Sequence, residues 1–323
     1  MRMRKHFIVL IALSALLVLD FCSIKKMAMN QVANALTAPG GSTVFTGDND
    51  PELVGEALPF AIKMYESMMV SIPWHAGLKL RTGSLYIMYA NAFLQNPAEM
   101  LPEKELEKQE FLLNRARNLY LRGRDIVLHA LDKKYPGFLK NMNEKKYDQA
   151  LAPMKKQDAP FLYWGAAGWM GAYAIDPLDM KIGLTMPGAK AMMERVLHVD
   201  NNFEKGTIHD FYVSYYGAMP GNMGGDASKA REHYKKALEA AGGKTTSPHL
   251  SLATTVSVNE QNYKEFKELL NKVLEVDPDA DPGNRLVNIL NQRRARWLLE
   301  HAEDFFVEGT EAEDEEQSRD DLK

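Results

Sequence analysis

Residues 230–238 have the sequence Ala-Arg-Glu-His-Tyr-Lys-Lys-Ala-Leu, in which Ala230, Tyr234, Ala237 and Leu238 recur at intervals of three and four. This spacing places the four side chains on one face of a helix. Most of the 323-residue chain shows the same periodicity, with few stretches of strict alternation. The chain contains no Asn-Gly or Asp-Gly dipeptide, the strongest short signal for a β-hairpin. The sequence therefore predicts an all-α fold.

The periodic segments resemble a degenerate helical-hairpin repeat. The tetratricopeptide pattern places small residues where two paired helices touch and often closes on Asp-Pro. Four stretches approach it: residues 83–136, 164–200, 217–238 and 254–278, the last of which ends on Asp277-Pro278. Against the usual repeat length, the first stretch has about 28 surplus residues and the second about nine, around Asp176–Gly188. A non-repeating helical bundle is the alternative.

Small residues give the repeat hypothesis a packing reason. Gly168, Gly217 and Ala230 would let two helices approach closely while neighbouring pairs stack into one core.

Additional helices are expected to flank the repeats. We expect a long helix from about Pro102 to Leu131 and a final helix from about Asn284 to Phe306. Two more are expected near the beginning of the chain, over Ser23–Leu36 and Pro51–Val70. The predicted architecture is therefore about four repeats with extra helices on both sides.

The beginning of the chain resembles a lipoprotein signal sequence. A basic start is followed by the apolar run Phe7–Leu19, which has the length of a signal-peptide core and is short for a membrane span. Cys22, the only cysteine, follows in a lipobox-like position, although Phe21 stands where a small residue is usual. We expect a lipid anchor at Cys22, because two or three acyl chains give stable membrane attachment. A secreted or uncleaved protein with an incidental thiol is the alternative.

The end of the chain is acidic. From Glu300 onward it has eleven Asp and Glu residues against Arg319 and Lys323. Such a segment with almost no apolar residues is expected to be a disordered tail, or else a docking site for a basic partner. The predicted organisation is a signal peptide over 1–21, an anchor-proximal helix and linker over 22–50, the repeat domain over 51–308 and the acidic tail over 309–323.

Motifs for catalysis are weak. Residues 242–245, Gly-Gly-Lys-Thr, follow a helical segment rather than a strand, and Leu238 replaces the first glycine of a phosphate-binding loop. A glycine helix stop explains them better. The eight histidines show no His-x3-His spacing, one cysteine excludes multi-cysteine metal sites, and a net charge of -4 does not favour nucleic acid. We expect no enzyme activity, cofactor or metal, with His209 as the one nominee for an envelope hydrolase.

Aromatic and methionine side chains are concentrated in two predicted helices, over residues 161–173 and 211–216. Such side chains provide adaptable apolar surface for ligands or partners, although core packing is the common alternative. In the repeat register, five residues of the first helix would face the concave side of the array. With two residues of the second, they form the predicted ligand or partner surface: Leu162, Gly165, Trp169, Ala172, Tyr173, Phe211 and Tyr215.

Three stretches in their order and spacing resemble the T component of tetratricopeptide-associated TRAP transporters, the TatT family: Leu13–Lys25, Tyr163–Trp169 and Pro220–Leu238. The resemblance implies a periplasmic lipoprotein that docks the substrate-binding P component of an ion-driven importer. It also implies a homo-oligomer, with a trimer as the expected form, and a hydrophobic channel that receives apolar ligands. Phe21 and the long insertion in the first repeat depart from the consensus patterns.

Two functions follow as hypotheses. The first is a non-enzymatic transport component that binds the P component and passes on a hydrophobic organic acid. The second is an envelope lipoprotein that scaffolds outer-membrane assembly, with its groove binding peptide segments instead of a ligand.

Overall fold

The computed structural model describes residues 26–38, 40 and 43–307, and the regular structure in these ranges is entirely helical. The predicted all-α fold is confirmed. The predicted signal peptide, Cys22 and the acidic tail over 309–323 lie outside the described residues. Within the described ranges, no helix has both the length and the apolar character needed to cross a bilayer.

Eleven longer helices form the framework. They are α1 (26–37), α2 (Pro51–Ser71), α3 (Ala76–Ala90), α4 (Leu106–Lys134), α5 (Ala159–Ile175), α6 (Met186–Val199), α7 (Thr207–Ala218), α8 (Ala227–Ala241), α9 (Ser247–Leu252), α10 (Tyr263–Glu275) and α11 (Arg285–Glu300). Two π-helical turns extend α3 and α9, over Asn91–Gln95 and Ala253–Ser257. Shorter α-helical segments cover Thr43–Thr46, Asn96–Glu99, Phe138–Asn143, Tyr147–Leu151 and Met180–Gly183. Turns of 3-10 helix cover Glu103–Glu105, Lys156–Asp158, Phe203–Gly206, Gly221–Met223, Pro278–Ala280, Pro282–Asn284 and Ala302–Phe305.

Local chemistry explains several helix boundaries. Asp50 caps α2 by accepting a hydrogen bond from the Leu53 amide at 3.0 Å, and Asp226 caps α8 in the same way. At the other end of α8, Gly242 and Gly243 have φ angles of +60° and +70°. This left-handed conformation favours glycine and terminates helices. The predicted glycine helix stop is confirmed.

Consecutive helices pack as hairpins. The four pairs are α3 with α4, α5 with α6, α7 with α8, and α9 with α10. These are the pairs that the four sequence stretches predicted, while their tetratricopeptide-like character stays a prediction. The surplus residues of the first stretch lengthen its helices, so that α4 has 29 residues and spans about 43 Å. The extra residues around Asp176–Gly188 contain the short helix Met180–Gly183.

Glycines bring the backbones of the first two hairpins together. A Cβ atom added at Gly83 would lie 2.7 Å from the Gly123 carbonyl oxygen, and one added at Gly123 would lie 2.6 Å from the Gly83 carbonyl oxygen. On α5, a Cβ at Gly168 would lie 2.9 Å from the Tyr120 carbonyl oxygen. Gly217 of α7 approaches Thr255 of the next hairpin equally closely. Gly168 and Gly217 therefore allow close packing as predicted, but between neighbouring hairpins and not between the two helices of one pair.

The last helix connects the end of the array to its beginning. Helix α11 packs on α9 and α10 and also contacts α2. Arg293 of α11 forms an ion pair with Glu52 at the start of α2, with one Nη2 to Oε2 distance of 3.0 Å. Arg285 donates a hydrogen bond to the Gly47 carbonyl oxygen at 3.0 Å. The fourth hairpin is thereby held against the N-terminal elements.

Replacing Gly123 by alanine is expected to destabilise the protein. The added methyl group would overlap the α3 backbone, and such overpacking costs about 1–3 kcal/mol in the free energy of unfolding. Urea denaturation followed by circular dichroism measures this change. Gly221→Ala is the matched control, because a Cβ there meets no atom within 4 Å, and its effect should stay within about 0.5 kcal/mol. Equal stability of Gly123→Ala and the wild type would contradict the close helix contact.

Candidate functional site

Four of the seven residues in the predicted ligand or partner surface lie in the core. Leu162 and Ala172 are completely buried, Trp169 is 8% exposed, and Gly165 is buried as well. The prediction that these four residues line an open concave face is therefore wrong.

Packing of α5 against α4 and α6 explains the error. A Cβ atom at Gly165 would lie 3.0 Å from both Leu128 and Met192, so this side of the helix is occupied by its neighbours. The Trp169 indole donates a hydrogen bond to the Thr185 hydroxyl at 2.9 Å, within the residues that follow α5. Ala174 is the exposed position of α5, and half-buried positions are spread around the helix: Phe161, Tyr163, Trp164, Ala167, Met170, Gly171, Tyr173 and Ile175.

The other three predicted residues are half-buried. Phe211 and Tyr215 stack on α7 with ring centroids 6.0 Å apart, and the cluster continues through Tyr212 to His233 of α8. Tyr173 instead approaches Gly183 in the inserted segment after α5. The structure thus brings Phe211 and Tyr215 together, while Tyr173 contacts a different element.

Two neighbouring clefts lie where α11 meets the first hairpin. The first cleft has a volume of about 360 Å³ and is formed by the start of α2, the end of α3 with its extension, and α11. Its walls include Pro51, Glu52, Gly55, Glu56, Tyr89, Ala92, Phe93, Asn96, Pro97, Met100, Leu290 and Arg293. The second cleft has a volume of about 230 Å³ and is lined by Glu99, Met100, Thr254, Val258, Phe266, Arg294, Trp297, Leu298 and Phe305. Met100 is common to both.

Arg294 lies between the two clefts. Its Nη1 donates to Asn96 Oδ1 at 2.8 Å, in the wall of the first cleft, and its Nη2 donates to Glu99 Oε2 at 2.7 Å, in the wall of the second. The Arg294 side chain is 27% exposed. A guanidinium has five N–H donors, so these two bonds do not exhaust its capacity to bind an anion.

Each cleft is bordered by a π-helical turn. In the first cleft, Pro97 has no N–H to donate to the preceding turn, and the helix widens over Asn91–Gln95 just before it. In the second, the Thr254 hydroxyl donates to the Leu250 carbonyl oxygen at 2.9 Å, which competes with the regular helix bonds. Such turns are frequent at functional sites, because they change the direction of side chains.

The cleft walls combine apolar surface with a charged edge. Phe93 stacks on Tyr89 at 5.8 Å and lies directly over Gly55, where a Cβ would meet its ring at 2.8 Å. In the second cleft, the aromatic side chains of Phe266, Trp297 and Phe305 line the wall together with Glu99 and Arg294. Apolar walls with few placed polar groups are typical of small-molecule sites. The arrangement suits a molecule with an apolar body and an anionic end.

These clefts were not identified from the sequence. Their lining residues come from segments more than 150 positions apart, and none forms a local motif. The one local signal in the sequence is the dipeptide Asn96-Pro97, which marks a break in a helix and not a binding site.

Two polar features lie on α7 away from the clefts. The Nδ1 atoms of His209 and His233 are 2.9 Å apart, so the two rings share one proton. Burial, together with the neighbouring His209, lowers the pKa of His233 to about 4. Burial also raises the pKa of Asp210 to about 6, against the opposing effect of the Ser251 hydroxyl. Asp210 Oδ1 is buried without a hydrogen-bond partner. In the described part of the chain, no three His, Cys, Asp or Glu side chains are grouped to hold a metal ion.

Asp210→Asn is expected to stabilise the protein increasingly as the pH rises. The pKa of Asp210 is higher in the folded state than in the unfolded state. The contribution of Asp210 to the free energy of unfolding is therefore fully present below about pH 4 and is lost as the pH rises through 6. The neutral amide avoids that loss. The free energy of unfolding of the variant, relative to the wild type, should grow by about 2 kcal/mol between pH 4 and pH 7.5. Urea denaturation at several pH values measures this difference.

The exposed Glu268→Gln provides the comparison, and its difference from the wild type should stay nearly constant with pH. A constant difference for Asp210→Asn as well would show that the Asp210 pKa is not raised.

Comparison with known proteins defines the family. A protein of Treponema pallidum (strain Nichols), described as uncharacterized, is 34% identical over 302 residues, which cover 89% of this chain and 94% of that protein. The family model described as TRAP transporter T-component matches residues 47–306, which include all the residues that line the two clefts. The chain belongs to the TRAP transporter T-component family.

Proposed function

We propose that this protein is a non-enzymatic, lipid-anchored periplasmic component of a TRAP-type importer, which binds the P component and holds a hydrophobic organic acid in the two clefts. Membership of the T-component family supports a role in TRAP transport. The observation that carries the ligand proposal is the position of Arg294 between two apolar clefts.

The ligand would place its apolar body against the aromatic walls and its carboxylate near Arg294. Charge-assisted bonds from a guanidinium to a carboxylate are among the stronger hydrogen bonds in proteins. Glu99 accepts a hydrogen bond from this guanidinium, so a carboxylate ligand and Glu99 would share Arg294 or compete for it. That competition favours reversible binding, as passing on a ligand requires.

The inserted segment after α5 is our proposed contact for the P component. Leu178, Met180 and Leu184 are 88%, 70% and 61% exposed. Asp179 holds the segment in place, because it caps the short helix Met180–Gly183 and forms an ion pair with Arg117 of α4. A preorganised group of exposed apolar side chains is suited to binding another protein.

The anchor and the assembly state complete the proposal. Cys22 would carry the acyl chains, and the family resemblance supports a homo-oligomer with a trimer as its form.

Decanoate is expected to bind the full-length protein in detergent solution, and Arg294→Gln should weaken that binding about tenfold. Loss of a charge-assisted hydrogen bond costs about 1.5–3 kcal/mol, and 1.4 kcal/mol corresponds to a factor of ten in Kd. Isothermal titration calorimetry measures the affinity, and circular dichroism verifies the fold of each variant. Arg296→Gln, an exposed position on the same helix, should leave the affinity unchanged. Equal affinities of Arg294→Gln and the wild type would exclude Arg294 as the carboxylate partner.

Leu178→Glu is expected to weaken the complex with the P component, because a charge would replace an apolar side chain at the contact. Sedimentation of the full-length protein mixed with a TRAP substrate-binding protein measures the complex. Val44→Glu is the control, since Val44 is also exposed, at 71%, but lies in a different segment. Co-purification of an outer-membrane assembly protein in place of the P component would support the scaffold function and overturn the transport proposal.

A further inference from the structure

Helix α1 has two apolar faces. Its inner face packs on α2 and α3 through the completely buried Ala33 and the neighbouring Met29 and Leu36. Its outer face is exposed and carries no charged residue. That face consists of Met27, Ala28, Val32 and Ala35 with the polar but uncharged Gln31 among them, and Met27 is 63% and Val32 is 50% exposed. An apolar outer face is unusual for a surface helix, whose solvent side is normally polar.

A second exposed apolar group lies beside the start of this helix. Trp74 is 51% exposed, and the Lys26 ammonium lies 5.8 Å from its ring centroid. Val70, in the last turn of α2, is 84% exposed. Asn34 of α1 is hydrogen-bonded to His75 at 2.9 Å, which fixes α1 next to Trp74. Tryptophan beside lysine is a combination typical of membrane–water interfaces.

The position of Cys22 in the sequence limits the distance of α1 from an anchored membrane. Four residue steps separate Cys22 from Lys26. Even a fully extended chain covers only about 14 Å in four residues. If Cys22 carries acyl chains in a bilayer, α1 begins within that distance of the lipid headgroups.

The charges around this surface also suit a lipid surface. In the sequence, residues 21–47 and 67–98 contain no Asp or Glu, whereas they contain the cations Lys25, Lys26, Lys79 and Arg81. Glu66, one turn before Val70, is neutralised by ion pairs with Lys63 and Arg122. Lys79 lies near Lys133 at the end of α4, and the lowered pKa of Lys79 reflects burial and this second ammonium. Cations near the surface of an anionic bilayer strengthen binding to it.

We propose that the outer face of α1, together with Val70 and Trp74, lies on the lipid bilayer and orients the protein there. The inference rests on the proposed lipid anchor at Cys22. The contact would be interfacial, since amphipathic helices bind at the boundary between headgroups and acyl chains. The helix array would then project from the membrane along α4, with the clefts and the inserted segment away from the lipid.

Brominated lipids test this contact, because they quench tryptophan fluorescence only within the bilayer. The full-length protein is reconstituted into phosphatidylcholine–phosphatidylglycerol vesicles with and without dibrominated acyl chains. We expect a loss of emission in the wild type that is absent in Trp74→Phe, while Trp297→Phe keeps the loss. Val32→Glu on the outer face of α1 should reduce the quenching, and Leu178→Glu in the inserted segment should not.

The acylation of Cys22 is measured in a separate experiment. Mass spectrometry of the membrane-extracted protein determines whether Cys22 is acylated. If it is not, the same protein is coupled through this single thiol to a maleimide lipid, so that the membrane face is tested without the natural anchor. Equal quenching of the wild type and Trp74→Phe in the anchored protein would overturn the inference. An oligomer that Val32→Glu dissociates in solution would also overturn it, since the face would then join copies of the chain.

Discussion

The backbone contact between Gly83 and Gly123 sets the distance between α3 and α4, and the other hairpins are placed relative to that pair. Because no side chain separates the two backbones, α3 and α4 lie in van der Waals contact along a shared seam. Helix α5 uses Gly168 to enter the same seam against Tyr120 and Ile87. A larger residue at any of these glycines would move a whole hairpin, because cores this dense transmit displacements.

The clefts depend on a second constraint, the attachment of α11 at both of its sides. Toward the fourth hairpin, the Gln292 amide donates to the Val276 carbonyl oxygen at 2.8 Å. Asn288 Oδ1 accepts hydrogen bonds from the backbone amide and the hydroxyl of Thr246. These polar side chains are buried, so losing a partner would leave a costly unsatisfied group. Helix α11 therefore belongs rigidly to the fourth hairpin and carries Arg293 and Arg294 to the first.

The structural features that depend on residues close together in the chain could be predicted from the sequence. The positions of the hairpin helices and the stop at Gly242 follow from periodicity and breakers, and the structure confirms them. Side-chain size predicted close packing at Gly168 and Gly217, but these glycines contact the neighbouring hairpin and not their own partner helix. The prediction of an open face on α5 was wrong because this helix is apolar on nearly all sides. The periodicity of its apolar residues therefore could not distinguish the core side from the solvent side. The clefts depend on contacts such as Arg294 with Asn96, which are 198 positions apart. One sequence without its fold contains no information on such a pairing.

The unequal strength of the two attachments of α11 determines where the clefts can widen. On the side of α2, the ion pair of Arg293 with Glu52 is solvent-exposed, with side-chain exposures of 44% and 66%. Exposed pairs of this kind are screened by solvent and contribute less than the buried hydrogen bonds of Gln292 and Asn288. Toward the first hairpin, α11 is also held by the bonds of Arg294 to Asn96 and Glu99, and the side chains of Arg294 and Glu99 are 27% and 34% exposed. Both clefts lie along this more exposed seam, so they would widen there before α11 separates from α10.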